Sequence, residues 1–400
     1  MPATPSPRLT YSSPALITGL CFLLNFNDGI DIFLLSYSAP EIIGELSLSK
    51  TQMGSIFSTG LAGISLGSLL IAPLSDRHGR KKILLAALCL CSAGMAGVAL
   101  TGTYASLLVF RFLTGLGIGA ILPTIATLTA EHSPDRHRDF NVGFVQAGWP
   151  VGAIITGLVC ARVIPEQGWR FAFGLAAIFC LSLLVLITLF LRQTIPPSSS
   201  AISHSPPPTD ESATSPSTIR LALAAFFGFL TLYTVMSWVP DMAKEAGLPF
   251  AWTAYVGMAL NLGAAIGSSA IGAIGSRLGL QKTQFTYLLI AFALMQLYAF
   301  IPLASDWIMG MIFLLGIFVQ GGFNGIFPLM TRVFPPGHGA RQIGRVIGVG
   351  RIGAIIGPSL FGLLADLHLS QGLIFVLFSL PLLIMGLLIL SLKFEKRKDL

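Results

Sequence analysis

Asn25-Phe26-Asn27-Asp28-Gly29-Ile30-Asp31-Ile32-Phe33-Leu34-Leu35-Ser36-Tyr37-Ser38-Ala39-Pro40 overlaps the first long apolar segment of the chain, which runs from about Ala15 to Tyr37. Asp28 and Asp31 are three residues apart and so share one face of a helix. A single Asp at the centre of a membrane helix costs about 2.5–3.5 kcal/mol on insertion scales. Two of them, with Asn25 and Asn27 alongside, need a compensating role. In a soluble core helix they would cap or form salt bridges. In a bilayer they mark a place where protons or a polar substrate are handled.

The composition decides between these readings. The chain has 400 residues, 54% of them hydrophobic and only 10% charged, with a mean hydropathy of +0.80. Soluble domains carry about 25% charged residues, so this chain cannot cover a globule with polar surface. A polytopic membrane protein is expected, with the lipid bilayer as its surroundings. The net charge of +7 then reflects topology and not a nucleic-acid partner. All five cysteines lie in apolar segments, without disulfide or zinc spacing. The six histidines fall in predicted loops, no pair has metal-ligand spacing, and no Gly-rich phosphate loop occurs. No metal, no cofactor and no enzymatic chemistry are expected, and ATP-driven transport is disfavoured. The first apolar run lacks a convincing cleavage site, so it is expected to stay in the bilayer.

A helix crosses the hydrocarbon core in about 20 apolar residues. Twelve such runs are present, near 15–37, 54–74, 83–101, 105–129, 140–162, 171–192, 219–240, 252–274, 283–303, 307–330, 341–365 and 371–392. The expected fold is therefore an all-α membrane protein of twelve transmembrane helices in two six-helix bundles, 15–192 and 219–392. Residues 193–218, rich in Pro, Ser and Thr, form the linker, with tails at 1–14 and 393–400. With both termini on the cytoplasmic side of a bacterial inner membrane, eighteen Lys and Arg fall inside and only Lys50, Arg162, Arg170 and Lys244 outside. That bias obeys the positive-inside rule. Arg111 and Arg351 lie within spans.

The two halves echo each other. Pro40-Glu41 recurs as Pro240-Asp241, 200 residues on, and Gly152-Ala153-Ile154-Ile155 as Gly353-Ala354-Ile355-Ile356, 201 on. A common offset is the trace left by two bundles related by an axis along the membrane normal.

After the second span comes Ala72-Pro73-Leu74-Ser75-Asp76-Arg77-His78-Gly79-Arg80-Lys81-Lys82. It resembles the signature loop of the major facilitator superfamily, with Ala72 where that family has Gly. Gly79 permits the tight turn. Asp76, Arg77, Gly79 and Arg80 are the candidate conformational latch, because an acid at a helix C-terminus is poorly placed unless paired. The counterpart 200 residues on has Ser276 in place of the acid, so any latch there is expected to be weaker. The bland alternative is a solvated basic loop that fixes topology.

In the fourth span Arg111-Phe112-Leu113-Thr114-Gly115-Leu116-Gly117 is similar to a motif of proton-coupled members of that superfamily. Glycines at this spacing admit a neighbouring helix. A buried guanidinium cannot shed its proton and must find acceptors. Counting 1.5 Å per residue, Asp31 and Arg111 each lie roughly 9 Å below the outer boundary, so a direct or mediated pairing is expected.

Asp28-Gly29-Ile30-Asp31 in the first span and Arg341 to Pro358 in the eleventh resemble the aromatic acid:proton symporter branch. That resemblance implies that Asp28 and Asp31 serve proton coupling, with Arg111 and Arg351 as required polar partners. Arg351 lies roughly 15 Å into its span, near the midplane. There a planar fork can bind a carboxylate, or else tie itself to an Asp or to backbone carbonyls. Ring-sandwiching candidates are Trp149, Tyr233, Trp238, Phe323 and Phe327, and Gln320 and Asn324 could read ring hydroxyls. Ordinary packing remains the alternative for each aromatic.

The chain thus reads as a transporter that imports a small organic anion, foremost an aromatic carboxylate, together with protons by alternating access. The alternative is proton-antiport efflux of drugs or metabolites on the same fold. A membrane sensor would need an appended signalling domain, for which the tail after Lys393 is too short.

Overall fold

The computed structural model describes residues 13–191, 215–300, 305–334 and 339–392. Most of the expected linker and both expected tails lie outside these residues. The first half holds α1 (Pro14–Leu46), α2 (Lys50–Leu66), the short α3 (Leu74–His78), α4 (Arg80–Leu100), α5 (Tyr104–His132), α6 (Arg138–Gln146) and α7 (Gly148–Phe190). The second holds α8 (Pro216–Glu245), α9 (Phe250–Leu278), α10 (Leu280–Phe300), α11 (Ser305–Leu315), α12 (Gly321–Asn324), α13 (Ile326–Val333), α14 (Gly339–Asp366) and α15 (Gln371–Leu390). A π-helical turn, Gly67–Ile71, prolongs α2, and another, Gly316–Gln320, joins α11 to α12.

Eleven stretches of the described residues are long and apolar enough to cross a membrane. One of them, Phe140–Phe190, has 51 residues, about 76 Å of helix against a hydrocarbon core of about 30 Å. Gly168, at φ 81° and ψ 165°, breaks it. It therefore makes two crossings, and the passes number twelve.

Local chemistry sets the helix starts. The side chains of Ser13, Thr103, Ser215 and Ser370 each accept a first-turn N–H, satisfying donors that a helix leaves orphaned. Ser49 and Gln52 form a reciprocal capping box at α2. Gly79 and Gly279 both stand at φ 91°, a conformation that favours glycine. The 200-residue repeat is thus visible in the backbone itself.

Two helix ends differ from the sequence expectation. Neither Pro40 nor Pro240 ends its helix. α1 continues to Leu46 and α8 to Glu245. Prolines persist inside membrane helices where neighbours meet the freed backbone groups, and both prolines are buried here. At 33 residues, α1 is roughly 50 Å long, so its last turns reach beyond the apolar core.

Lipid gives helices no hydrophobic reason to associate, so packing rests on close approach at small residues. A methyl group added at Gly115 would lie 2.2 Å from the Gly60 carbonyl oxygen, and one at Gly119 would lie 2.0 Å from that of Ile64, both on α2. On the other side of α5, Gly117 abuts Ala87 and Cys91 of α4. The motif glycines therefore wedge α5 between α2 and α4. Likewise Gly29 meets the Trp149 carbonyl, Gly152 meets that of Phe26, and Gly353 meets that of Phe226.

Polar contacts between the halves gather at the end where α1 turns into α2. Lys50 pairs with Asp241 and, at 2.8 Å, with Glu245 of α8. The Asp366 carboxylate at the end of α14 accepts the Lys50 and Thr51 backbone N–H groups at 2.9 and 2.8 Å. This carboxylate sits at the positive end of α2. Ser36 donates to the Met236 and Ser237 carbonyls, both at 2.8 Å, and Lys244 pairs with Glu41 at 3.2 Å. Close backbone packing accompanies these bonds, with Gly54 against Pro358 and Gly362 against Lys50.

Two outcomes follow from this packing. Gly115→Val overpacks the α2–α5 contact by about 1–3 kcal/mol or more and lowers the melting temperature of the purified protein. Gly102→Val, with nothing within 4 Å, leaves it in place. Lys50→Ala strands Asp241, which is only 4% exposed, and loosens the closure at this end. Maleimide labelling of a cysteine placed at Ser58, in a background without native cysteines, then speeds up. An unchanged rate would show that the ion cluster does not hold the halves together.

Candidate functional site

The first-span carboxylates are placed by the glycine contacts just described. Gly29 lies between Asp28 and Asp31, and its contact with the α7 backbone fixes the rotation of α1. Asp31 is fully buried and Asp28 is 6% exposed. Arg111 lies one turn before Gly115, which seats α5 against Gly60, so its guanidinium faces α1 across α2. It donates from Nη1 to Asp31 Oδ1 and from Nη2 to Asp31 Oδ2, the latter at 3.0 Å. The depth count had placed these two residues at one level, and the structure joins them in a bidentate ion pair. Gly60 leaves room for it, since a methyl there would stand 3.2 Å from Arg111 Nη2.

Among the described residues, two buried polar groups at this pair have no hydrogen-bond partner, Asp28 Oδ1 and Arg111 Nε. Asn27 accepts a bond from the Cys180 thiol through Oδ1 at 3.0 Å, while its amide nitrogen is unpartnered. Asn25 donates to the Val145 and Gln146 carbonyls at 2.9 and 3.3 Å, which makes it a structural tie between α1 and α6. Unpaired buried polar atoms are costly, and these three beside two carboxylates make this the candidate site.

A narrow cleft opens beside the ion pair, with a cavity volume of about 20 Å³, room for about one water. Asp31, Ile32 and Arg111 border it from α1 and α5. Phe57, Gly60, Leu61 and Ile64 border it from α2, and Tyr233 and Ser237 come from α8 of the other half. Both halves therefore build it. Arg351, half-buried on α14, lies within electrostatic reach of Asp28 and Tyr233. No hydrogen bond or ion pair engages its guanidinium among the described residues. Gly350, packed on Phe229 and Ala225, and Gly353, packed on Phe226 and Leu230, hold Arg351 at the level of Phe229.

The other residues singled out from sequence are more scattered. Trp149 stands edge-on to Phe33 at 5.5 Å and its backbone contacts Gly29, but it does not border the cleft. Trp238 donates to the Pro358 carbonyl at 3.0 Å and stacks on Phe361. Phe323 packs against Phe229 and Phe327. Gln320 and Asn324 bond to each other at 3.5 Å, and Asn324 also donates to Ser268 at 2.7 Å. Both belong to the second-half helices away from the cleft.

In the signature loop, Asp76 is largely exposed and sits 3.6 Å from Arg80. Arg80 is 4% exposed and bonds Thr127 and Glu131 of α5. Arg77 is exposed. The loop is thus tied to its own half.

Three contributors to the cleft carried no signal in the sequence. Phe57 and Gly60 sit in an unremarkable apolar run, and Ser237 is one hydroxyl among many. Among the described residues no group of three or more His, Cys, Asp or Glu could hold a metal ion.

The fold matches solved transporters. A bacterial homolog of the human lysosomal transporter Spinster, in an inward-facing and occupied conformation, superposes with a TM-score of 0.80 at 18% identity, covering 94% of this chain and 95% of that one. A D-xylose-proton symporter gives 0.76 at 17%, covering 94% and 97%. Among curated proteins, the 3-(3-hydroxy-phenyl)propionate transporter of Escherichia coli is 31% identical, over 90% of this chain and 89% of its own. The cis,cis-muconate transport protein of Acinetobacter baylyi is also 31% identical, over 94% of each. The gallate transporter of Pseudomonas putida is 28% identical, over 94% and 91%. The Major Facilitator Superfamily model matches residues 21–328 and 221–400, and with twelve passes around a cleft shared by two related halves, the chain belongs to that superfamily of membrane transporters.

Proposed function

We propose that the protein imports an aromatic carboxylate together with protons, binding the carboxylate on Arg351 and the coupling proton on Asp31 or Asp28. The observation that carries this is the Arg351 guanidinium, uncommitted among the described residues and within electrostatic reach of the buried Asp28 and of Tyr233, which borders the cleft that both halves build. A fixed, half-desolvated fork is a strong receptor for a carboxylate. The names of the relatives, which include transporters of gallate and 3-(3-hydroxy-phenyl)propionate, support an aromatic acid as the cargo.

The coupling follows from electrostatics. With Asp31 ionised, Arg111 is neutralised by it. Protonation of Asp31 removes that partner and leaves a cation in a dry site, which an incoming anion compensates. Occupancy by proton and by anion therefore favour each other, and the halves rearrange when both are present. In this reading the basic loops and both termini face the cytoplasm of a bacterial inner membrane, and the halves are 15–192 and 219–392. The cluster around Lys50 closes the outer side, and the loop of Asp76, Arg77, Gly79 and Arg80 serves as the latch of the opposite state.

Right-side-out vesicles given radiolabelled benzoate-type acids should accumulate them, and a protonophore should abolish the accumulation. Accumulation that persists with the uncoupler, or that appears only in everted vesicles, would point instead to other energetics or to efflux. Asp31→Asn should stop accumulation against a gradient while preserving exchange of internal for external acid. Arg351→Lys keeps the charge but loses the fork, and should weaken binding of the acid by about tenfold or more, read by calorimetry on the purified protein.

A further inference from the structure

The α8 face of the cleft carries two hydroxyl groups one helical turn apart, those of Tyr233 and Ser237. Neither makes a hydrogen bond within the described residues. This sets Ser237 apart from its neighbours on the same helix. Thr231 donates to the Phe378 carbonyl at 2.8 Å and Thr234 to that of Leu230 at 2.7 Å. The first bond crosses to α15, and the second is the local back-bond that commonly satisfies a hydroxyl in an apolar helix. Ser237 engages only through its backbone, where its carbonyl accepts the Ser36 hydroxyl. That bond pins α8 to α1, so the Ser237 hydroxyl is held at a fixed height in the cleft.

The surroundings give the cleft a direction. Gly350 packs against Phe229 and Ala225, so Arg351, the next residue, meets α8 on the Phe229 side of Tyr233. Ser237 lies one turn beyond Tyr233 on the other side, roughly 5.4 Å along α8. Phe57, Leu61 and Ile64 of α2 form an apolar wall of the cleft. Once the halves part enough to admit it, a ligand whose carboxylate sits on Arg351 would lay its ring along this wall, with the far ring edge toward Ser237.

We infer that Ser237 is a specificity-determining residue, whose hydroxyl, flanked by that of Tyr233, pairs with a ring hydroxyl and makes the protein selective for hydroxylated aromatic acids over the bare ring. The inference rests on the aromatic-acid reading given above. A site arranged to hydrogen-bond a substrate hydroxyl discriminates against the analogue that lacks it, because its own polar group is then left unpaired. Ser237 is a binding-site hydroxyl in this scheme, and no covalent step is involved.

The test is calorimetric titration of the purified full-length protein with benzoate, 3-hydroxybenzoate and 4-hydroxybenzoate. Wild type should favour the better hydroxybenzoate over benzoate by about fivefold or more. In Ser237→Ala that ratio should fall below about twofold, whereas Ser237→Thr, which keeps a hydroxyl, should hold it. A structural defect would weaken all three acids in parallel and leave the ratio intact. Equal affinities in wild type, or a ratio that Ser237→Ala leaves alone, overturn the assignment to Ser237 while the aromatic-acid reading stands. Failure of wild type to bind any of the three acids overturns both.

Discussion

Backbone against backbone, at glycine, is the constraint from which the site follows. Where Gly60 and Gly115 meet, α2 and α5 approach so closely that a single methyl would collide with a carbonyl. That approach leaves Arg111 nowhere to go but across α2 toward Asp31. Gly29 does the same for α1 on α7, and Gly353 for α14 on α8. In a bilayer, helices gain little by burying apolar surface on each other, so van der Waals contact and interhelical polar bonds decide their positions. The buried ion pair is not what assembles the bundle, since desolvation offsets much of its Coulomb attraction. It is instead a consequence of a scaffold that would tolerate neither member alone.

Much of this was legible in the sequence, and the reason is periodicity. Apolar runs of bilayer length gave the passes, and equal depth from the outer boundary put Asp31 beside Arg111. The repeat of about 200 residues anticipated Gly79 and Gly279, which share one backbone conformation. What escaped was set by tertiary neighbours. A proline inside a periodic run reads as a helix end, yet α1 and α8 pass through Pro40 and Pro240 because those turns are buried. Asp366 capping α2 joins residues more than 300 positions apart, and no spacing rule reaches that far. Gln320 and Asn324 had the right chemistry and depth for ring hydroxyls, but they bond to each other, Asn324 also bonds Ser268, and neither borders the cleft. Depth can be counted along a sequence, whereas the facing of one helix toward another cannot.

The two halves share a fold but divide the chemistry. The positions 200 residues after Asp28 and Asp31 are Gly228 and Thr231, and the position matching Asp76 is Ser276. The acids beside the cleft thus come from the first half, and the uncommitted guanidinium of Arg351 comes from the second. At the closed end the signs are exchanged, with Lys50 of the first half held by Asp241 and Glu245 of the second.

That division has a mechanical meaning. Charges confined to one half would keep their mutual distances through any rigid movement of the bundles, and their pairing could not report on conformation. Asp28 and Arg351 belong to different halves, so in the proposed alternating-access cycle their separation and hence their interaction would change. Asp31 and Arg111 belong to one half, so in the same proposal their pairing would answer to protonation and to what occupies the cleft beside them. The proposed cycle thus has one electrostatic interaction that would sense chemistry and one that would sense geometry. α1 carries an acid from each, one turn apart, and through it a change at the first can bias the second.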